Sequence, residues 1–264
     1  MSIQLKGKNV LITGGSSGMG LEMTKELLIH GATVIMSSFK ESELDNAYKL
    51  LSKNYKNIYT MQMDITKEDS VKNAADWYNS HFDHLDVLIN GAGVGDNVKG
   101  MDKLKPGHHF YEIPVDSFRM IIETNFTGYF IVSKYFVPLM AKNGKGKLVY
   151  ISTSTNTMTM PGQIPYGPSK AASETMTAIL AEELKALNIT VNVICPGGFT
   201  DTAMAKKGVK EFFKKNNMPI LEPTVMNKIA LFLASDLSDK FNNEKLIGKE
   251  FDQWLEDRNI TLDI

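Results

Sequence analysis

The chain has 264 residues, 43% of them hydrophobic and 22% charged, which is enough apolar content for the core of one large α/β domain. With 29 basic and 30 acidic residues, the formal net charge of −1 excludes the electrostatic footprint of a nucleic-acid or anionic-membrane binder. A single cysteine, Cys195, excludes an intrachain disulfide framework and a cysteine-rich metal site. The N-terminus lacks the apolar run of a secretion signal, and no segment approaches the ~18 apolar residues of a membrane span, so a cytoplasmic location is expected.

Short apolar runs alternate with longer stretches of helical period. Residues 9–12 read as a buried strand, broken by the glycines from Gly14 to Gly20. A helix follows through Leu27 and Leu28, with Gly31 placed to end it. Residues 32–37 form a second strand. A helix over 42–54 sets Leu44, Ala47 and Leu51 on one face, and residues 58–63 form a third strand. Thr66 with Asp69 three positions on predicts a capping box opening a helix to about Phe82. A fourth strand is expected at 85–89, a long helix at 115–140, a fifth strand at 147–152, a helix at 166–187 and a sixth strand at 190–194. A short helix at 226–234 and a seventh strand near 248–251 complete the series.

Strands that are apolar throughout and alternate with helices predict a parallel sheet covered on both faces. With right-handed crossovers this is a Rossmann-like, doubly wound α/β fold, read as a single domain over 1–264. Residues 94–114 stand apart, being rich in Gly, Lys and His with no clear period. Loops of that length in compact domains are usually functional or mobile.

The segment Thr13-Gly14-Gly15-Ser16-Ser17-Gly18-Met19-Gly20 lies between the first strand and the first helix. Glycines there let the backbone turn sharply and approach a pyrophosphate without an intervening Cβ. The helix start offers free N–H groups and a partial positive charge to phosphate, and Ser16 and Ser17 add hydroxyls. The spacing Thr-Gly-x-x-x-Gly-x-Gly resembles the short-chain dehydrogenase/reductase family, and the resemblance recurs in order along the chain. Asp64-Ile65 follows the third strand, where the family contacts adenine. Asn90-Gly91-Ala92-Gly93 resembles the family's Asn-Asn-Ala-Gly, with Gly91 in place of the second asparagine. Asn125, Tyr166-x-x-x-Lys170 and Pro196-Gly197 follow, so the resemblance spans residues 8 to about 200.

The resemblance implies an NAD(P)-dependent oxidoreductase acting on a ketone or secondary alcohol. It implies cofactor contacts from Gly14, Ser16, Ser17, Gly18, Met19, Gly20, Asp64, Ile65, Asn90, Ala92, Gly93, Tyr166, Lys170, Pro196, Gly197, Phe199 and Thr202. At the end of the second strand an acidic residue would bind the adenosine ribose and repel a 2′-phosphate. Here Ser38, Phe39 and Lys40 supply a hydroxyl and an ammonium without a carboxylate, so NADPH is favoured over NADH, with Ser38 and Lys40 as contacts.

Hydride transfer at a carbonyl carbon needs a proton donor or acceptor within reach of the oxygen, and Tyr166 is the candidate. A free phenol has a pKa of about 10, and a nearby ammonium favours its ionised form. Lys170, four residues on, shares a helical face with Tyr166. By resemblance Asn125 holds the long helix open and supports a water chain to Lys170. The family's substrate-binding serine falls on Thr153, counting thirteen residues back from Tyr166, with Ser154 in the role if the register shifts by one. The family's threonine five residues after Pro196 falls on Asp201, leaving Thr200 or Thr202 to replace it. Residues 199–223 resemble a substrate lid, and Asp252-Gln253-Trp254 stands where the family often has Asp-Gly-Gly.

Cys195 reads as a buried strand-end residue, and His108 and His109 as solvated, with no metal-ligand spacing. The resemblance also implies pairing through the long helices into a homotetramer or homodimer. Two other functions stay open on the residues alone: a non-catalytic NAD(P)-binding regulator, and an epimerase or dehydratase that retains its cofactor.

Overall fold

A computed structural model describes residues 3–104, 107–204 and 208–263, without the side chain of Asp102. Parts of the two segments expected to shape the substrate pocket, residues 105–106 and 205–207, therefore lie outside the described residues.

The strands are β1 (Asn9–Thr13), β2 (Thr33–Ser38), β3 (Ile58–Gln62), β4 (Val87–Asn90), β5 (Gly146–Ile151), β6 (Ile189–Cys195) and β7 (Lys245–Ile247). They form one parallel sheet in the order β3-β2-β1-β4-β5-β6-β7. The helices are α1 (Gly18–Ile29), α2 (Glu41–Leu51), α3 (Glu68–His81), α4 (Val115–Ile122), α5 (Gly128–Lys142), α6 (Thr155–Met158), α7 (Tyr166–Glu183), α8 (Val209–Lys215), α9 (Asn227–Ala234) and α10 (Phe251–Glu256). The expected Rossmann-like fold is present.

Strand side chains alternate between the two faces, so one apolar run feeds two cores. Val10, Ile12, Val34 and Met36 join Met23 and Leu27 of α1, Leu44, Ala47 and Leu51 of α2, and Leu231 and Phe232 of α9. Leu11 and Ile35 point the other way, onto Val71 and Tyr78 of α3, Val132 and Phe136 of α5, and Ala181 of α7. Gly31, with φ +88°, ends the first helical segment as its position predicts. Its N–H donates to Leu28 O at 3.0 Å.

The strand order reverses between β1 and β4. Register places Thr13 beside Ser37 on one side and beside Asn90 on the other. Three strand ends thus open side by side at the switch point, the usual location of a ligand crevice in such sheets.

Four expectations need correction. The seventh strand is Lys245–Ile247; residues 248–250 form a 3-10 turn and 251–256 a helix, because Phe251 and Leu255 are drawn one helical turn apart into the core. The capping box at Thr66 is not formed: the Thr66 hydroxyl donates to Asp64 Oδ1 at 2.7 Å, and α3 begins after Lys67 without a side-chain cap. The helix expected over 166–187 leaves α geometry at Glu183, and residues 185–187 form a 3-10 turn closed by left-handed Asn188. The long helix expected over 115–140 ends at Lys142 and is interrupted by a π turn at Glu123–Thr127 that contains Asn125.

The segment after β4 is less open than its composition implies. Val98 and Met101 are buried against Ile121 of α4, with Val94, Leu104 and Ile113 packed around them. No helix among the described residues is long and apolar enough to cross a membrane.

Candidate functional site

The glycine segment is anchored at the end of β2. Gly14 and Gly15 both donate N–H bonds to Ser37 O, at 2.7 and 3.2 Å. Close approach explains two of the glycines. A Cβ on Gly14 (φ +72°) would lie 2.9 Å from Ala92 Cα, and one on Gly20 would lie 2.1 Å from Gly14 O. Ser17 precedes α1 without capping it by its side chain, so the first turn keeps its N–H groups available. The Ser16 hydroxyl is buried and has no partner among the described residues. An orphaned buried hydroxyl beside an uncapped helix start is the donor set that a phosphate oxygen requires, so these residues fit a pyrophosphate-bearing cofactor. Met19 turns back and packs on the core.

At the end of β2, Ser38 is buried and its Oγ accepts the Lys40 N–H at 3.2 Å. Lys40 is exposed, paired with Glu43 at 2.8 Å, and its ammonium stands 5.4 Å from the Phe39 ring centroid. Asp64 closes the turn after β3, while Ile65 is buried, its side chain set against Gly128.

Beyond β4, the Thr13 hydroxyl accepts N–H bonds from Gly91 and Ala92 at 3.0 and 3.1 Å, tying this segment to β1. The Asn90 amide donates to Ser133 Oγ at 3.3 Å, and its Oδ1 is buried without a partner among the described residues. A Cβ on Gly93 would lie 3.2 Å from Asn125 Oδ1 and 3.6 Å from Lys170 Nζ. The bare backbone there lets the two side chains converge.

Asn125 is fully buried in the π turn. Its Oδ1 accepts the Val94 N–H at 2.9 Å; its Nδ2 donates to Val94 O at 2.8 Å and to Ser169 Oγ at 3.1 Å. An amide pairing sideways with a loop backbone suits the widened turn that holds it, since π turns recur at functional sites. Ser173 Oγ donates to the Asn125 carbonyl at 2.8 Å, joining this turn to α7.

Lys170 is buried at 4% exposure and donates to Ile151 O at 2.9 Å and to Tyr129 Oη at 3.2 Å. Its ammonium stands 5.8 Å from the Tyr166 ring centroid. Burial pulls its pKa down to about 7, and Glu174, one turn further along α7, opposes that shift. Tyr166 is pushed up to about 12, by burial first and then by Cys195 and Asp96. Its phenol makes no hydrogen bond among the described residues. Burial also raises Cys195, to about 11, in keeping with an inert strand-end thiol.

Thr153 follows β5, is 8% exposed, and its hydroxyl has no partner among the described residues. Ser154 is differently engaged: its hydroxyl caps α6, 2.8 Å from Thr157 Oγ1 and 3.4 Å from the Thr157 N. Ser152 donates to Glu174 at 2.6 Å, and Lys245 of β7 meets the same carboxylate at 2.7 Å.

After β6, Pro196 O accepts the Lys249 N–H at 3.1 Å, and a Cβ on Gly197 would lie 2.6 Å from Ile247 Cγ2. Phe199 stacks on Phe213 of α8 with centroids 4.4 Å apart, and Thr200 bridges to Leu221. Of the two threonines beside Asp201, Thr200 is buried and turns its hydroxyl to Gly198 O at 3.3 Å. Thr202 reaches the glycine loop instead, its methyl 3.5 Å from where a Gly18 Cβ would stand. Met204 closes over the opposite side, 3.5 Å from a Cβ position on Gly95 that also lies 3.9 Å from the Tyr166 ring.

Sequence reasoning gave Thr13 only as part of the glycine motif and missed Tyr129, Ser133 and Glu174. Glu174 had a signal, since it stands four residues after Lys170 on the same helical face. Tyr129 had none, because its approach to Lys170 depends on how α5 packs beside α7. Among the described residues, no group of three His, Cys, Asp or Glu side chains is arranged to hold a metal ion.

The comparisons with known proteins bear on the family and the fold. A family model described as short chain dehydrogenase matches residues 8–211. A 3-oxoacyl-(acyl-carrier-protein) reductase of Thermotoga maritima is 30% identical over 242 residues, covering 89% of this chain and 94% of its own. A short-chain type dehydrogenase/reductase from Mycobacterium marinum superposes with a TM-score of 0.82 at 22% identity, over 94% of this chain and 97% of its own. A gluconate 5-dehydrogenase from Burkholderia cenocepacia, solved with NADP and tartrate, does so with a TM-score of 0.78 at 21% identity, over 95% and 97%. The two structural likenesses speak for the fold; the family match and the 30% identical relative carry the assignment, and the chain belongs to the short-chain dehydrogenase family.

Proposed function

We propose that this chain is an NADPH-preferring oxidoreductase that interconverts a ketone and a secondary alcohol, with Tyr166 as general acid or base. The observation that carries this reading is the buried Lys170 ammonium. It is fixed by Ile151 O on the helical face it shares with Tyr166, where Asn125 also converges at Gly93. A charge held there has no evident structural use, because burying an ammonium costs stability.

When bound, the nicotinamide accepts or supplies the hydride; the chain's own residues manage the proton and the geometry. Tyr166, held up at about 12, is a neutral phenol at pH 7 and can donate its proton to an oxygen gaining negative charge. Lys170 favours the phenolate left behind. The unpartnered Thr153 hydroxyl offers the second hydrogen bond to the substrate oxygen, and we read it in that role rather than Ser154, which caps α6. Asn125 keeps the π turn open beside Lys170 and supports proton supply to it. Gly14, Ser16, Ser17, Gly18 and Gly20 would cradle the pyrophosphate, with Thr202 beside them.

Preference for NADPH rests on Ser38 and Lys40 at the end of β2, where no carboxylate repels a 2′-phosphate. The exposed Lys40–Glu43 pair is worth at most about 1 kcal/mol, so it yields readily to a phosphate. Exposed apolar side chains on Phe118 of α4, Phe130 of α5 and Ile179 of α7 support pairing of copies through these helices.

A panel of ketones and secondary alcohols, followed by nicotinamide absorbance with each cofactor, tests the reading. Tyr166→Phe is expected to lower kcat by a factor of about 10²–10⁴. Thr153→Ala is expected to slow turnover far more than Ser154→Ala. Normal turnover by Tyr166→Phe, or a strong NADH preference, removes the corresponding part of the proposal.

A further inference from the structure

Tyr129 takes no part in the proton chemistry of Tyr166, yet it touches the lysine at its centre. It lies on α5 with no exposed surface. Its Oη accepts an N–H from Lys170 at 3.2 Å and stands 3.4 Å from Ile151 O, toward which its own proton points. The same carbonyl accepts a second Lys170 N–H at 2.9 Å, so ammonium, phenol and carbonyl form a closed triangle. The Lys170 ammonium is also 5.0 Å from the Tyr129 ring centroid, against 5.8 Å for Tyr166, and so faces two aromatic rings. Tyr129 is itself held in place: its carbonyl accepts Ser133 Oγ at 2.7 Å, and that hydroxyl lies 2.6 Å from Tyr150 Oη.

We infer that Tyr129 is a positioning residue for Lys170, its hydroxyl taking one ammonium N–H so that the charge is retained and aimed beside Tyr166. An ammonium has three N–H donors. Tyr129 and Ile151 take two, and one remains for the Tyr166 side of the cleft. This rests on the role given to Lys170 in the proposed function.

Burial, with Tyr166 and Tyr150 nearby, raises the Tyr129 phenol far above the usual range, so it stays neutral and acts only through its lone pairs. The other titratable groups around Lys170 are few. Glu174 lies on α7, where it shares its carboxylate with Lys245 of β7, and Tyr166 in turn faces Cys195 of β6 and Asp96 after β4. Removing the Tyr129 hydroxyl while keeping the ring leaves a buried N–H unpaired, which disfavours the ammonium. Lys170 then gives up its proton at a lower pH.

The test is Tyr129→Phe, read in two ways: the pH profile of kcat/KM, and the titration of Lys170 followed by NMR of 13Cε-labelled lysine in the cofactor-free protein. Both the alkaline limb of the profile and the Lys170 midpoint are expected to fall by about one pH unit, the size of one lost charge-assisted hydrogen bond. An unmoved Lys170 midpoint overturns the inference, even if turnover slows. If the midpoint falls but the wild type turns over no carbonyl or alcohol, the positioning role stands and the proposed reaction fails. The wild type supplies a measurement that needs no variant. Its Tyr129 resonance, labelled at 13Cζ, is expected to shift at the pH where Lys170 titrates, and a flat trace across that pH also overturns the inference.

Discussion

Around Lys170 the polar groups answer to fixed partners: Ile151 O, Tyr129 Oη, and Asn125 locked on both sides of Val94. The described residues of the two segments that overhang Tyr166 at Gly95 and Met204, 94–104 with 107–114 and 199–204 with 208–221, leave aromatic rings in solvent. Phe110, Tyr111 and Phe212 are 69%, 70% and 57% exposed. The first region sits on strand ends and facing helices that cannot shift without breaking the core. Within the second, Phe199 stacks on Phe213 and a short bridge joins Thr200 to Leu221. Strands and packed helices place the groups around Lys170, and segments outside the sheet can vary in sequence at less cost to it.

That contrast can be broken most sharply at Gly20. A methyl there would stand 2.1 Å from Gly14 O and 3.2 Å from Gly15 Cα, both backbone atoms. Gly20→Ala is expected to destabilise the fold by about 1–3 kcal/mol and to abolish cofactor affinity. Thermal unfolding and calorimetric titration with NADPH check this, and wild-type affinity would contradict it.

A gain in stability is expected at Lys170. Its pKa falls from 10.5 in the ordinary range to about 7 in the folded chain, so between those values the unfolded chain binds more protons. Stability contributed by this group therefore rises with pH through that window, and below about pH 7 the fold carries the full cost of the buried ammonium. Lys170→Met is expected to lose turnover yet stabilise the cofactor-free protein by on the order of 1–3 kcal/mol at pH 6, with the advantage shrinking toward pH 10. Denaturant unfolding at the two pH values measures it. An equal effect at both would assign the gain to packing.

The smallest effect is expected in the overhanging segments. Phe213→Ala removes a stacked pair worth about 0.5–1.5 kcal/mol, so KM for the preferred substrate is expected to rise roughly two- to tenfold with kcat little changed. Steady-state kinetics decide, and a collapse of kcat would place α8 among the rigid parts of the site.

Much of the sheet and of its covering helices is legible in the order of the residues. Apolar runs at strand length, Gly31 at a helix end and the face formed by Leu44, Ala47 and Leu51 are local patterns, and each element forms where its pattern lies. The seventh strand escapes such reading because Lys245–Ile247 is too short to show a period, and residues 248–256 carry no strand signal strong enough to separate them from a helix. The Thr66 capping box fails because the nearby Asp64 carboxylate competes for the hydroxyl. Counting cannot choose between Thr153 and Ser154, since what separates them is a cap on a four-residue helix.

Local sequence suffices for the strand–helix alternation, the glycine cradle and the four-residue spacing that sets Tyr166 and Lys170 on one face, because these depend on contacts within a turn or along a strand. What surrounds Lys170 is a product of tertiary packing alone. The Ile151 carbonyl, the Tyr129 hydroxyl and the Asn125 amide come from three separate elements, and their meeting is set by how α5 and α7 pack side by side on the sheet. Local pattern specifies which residues share a face; the pKa of a buried charge depends on everything packed against that face.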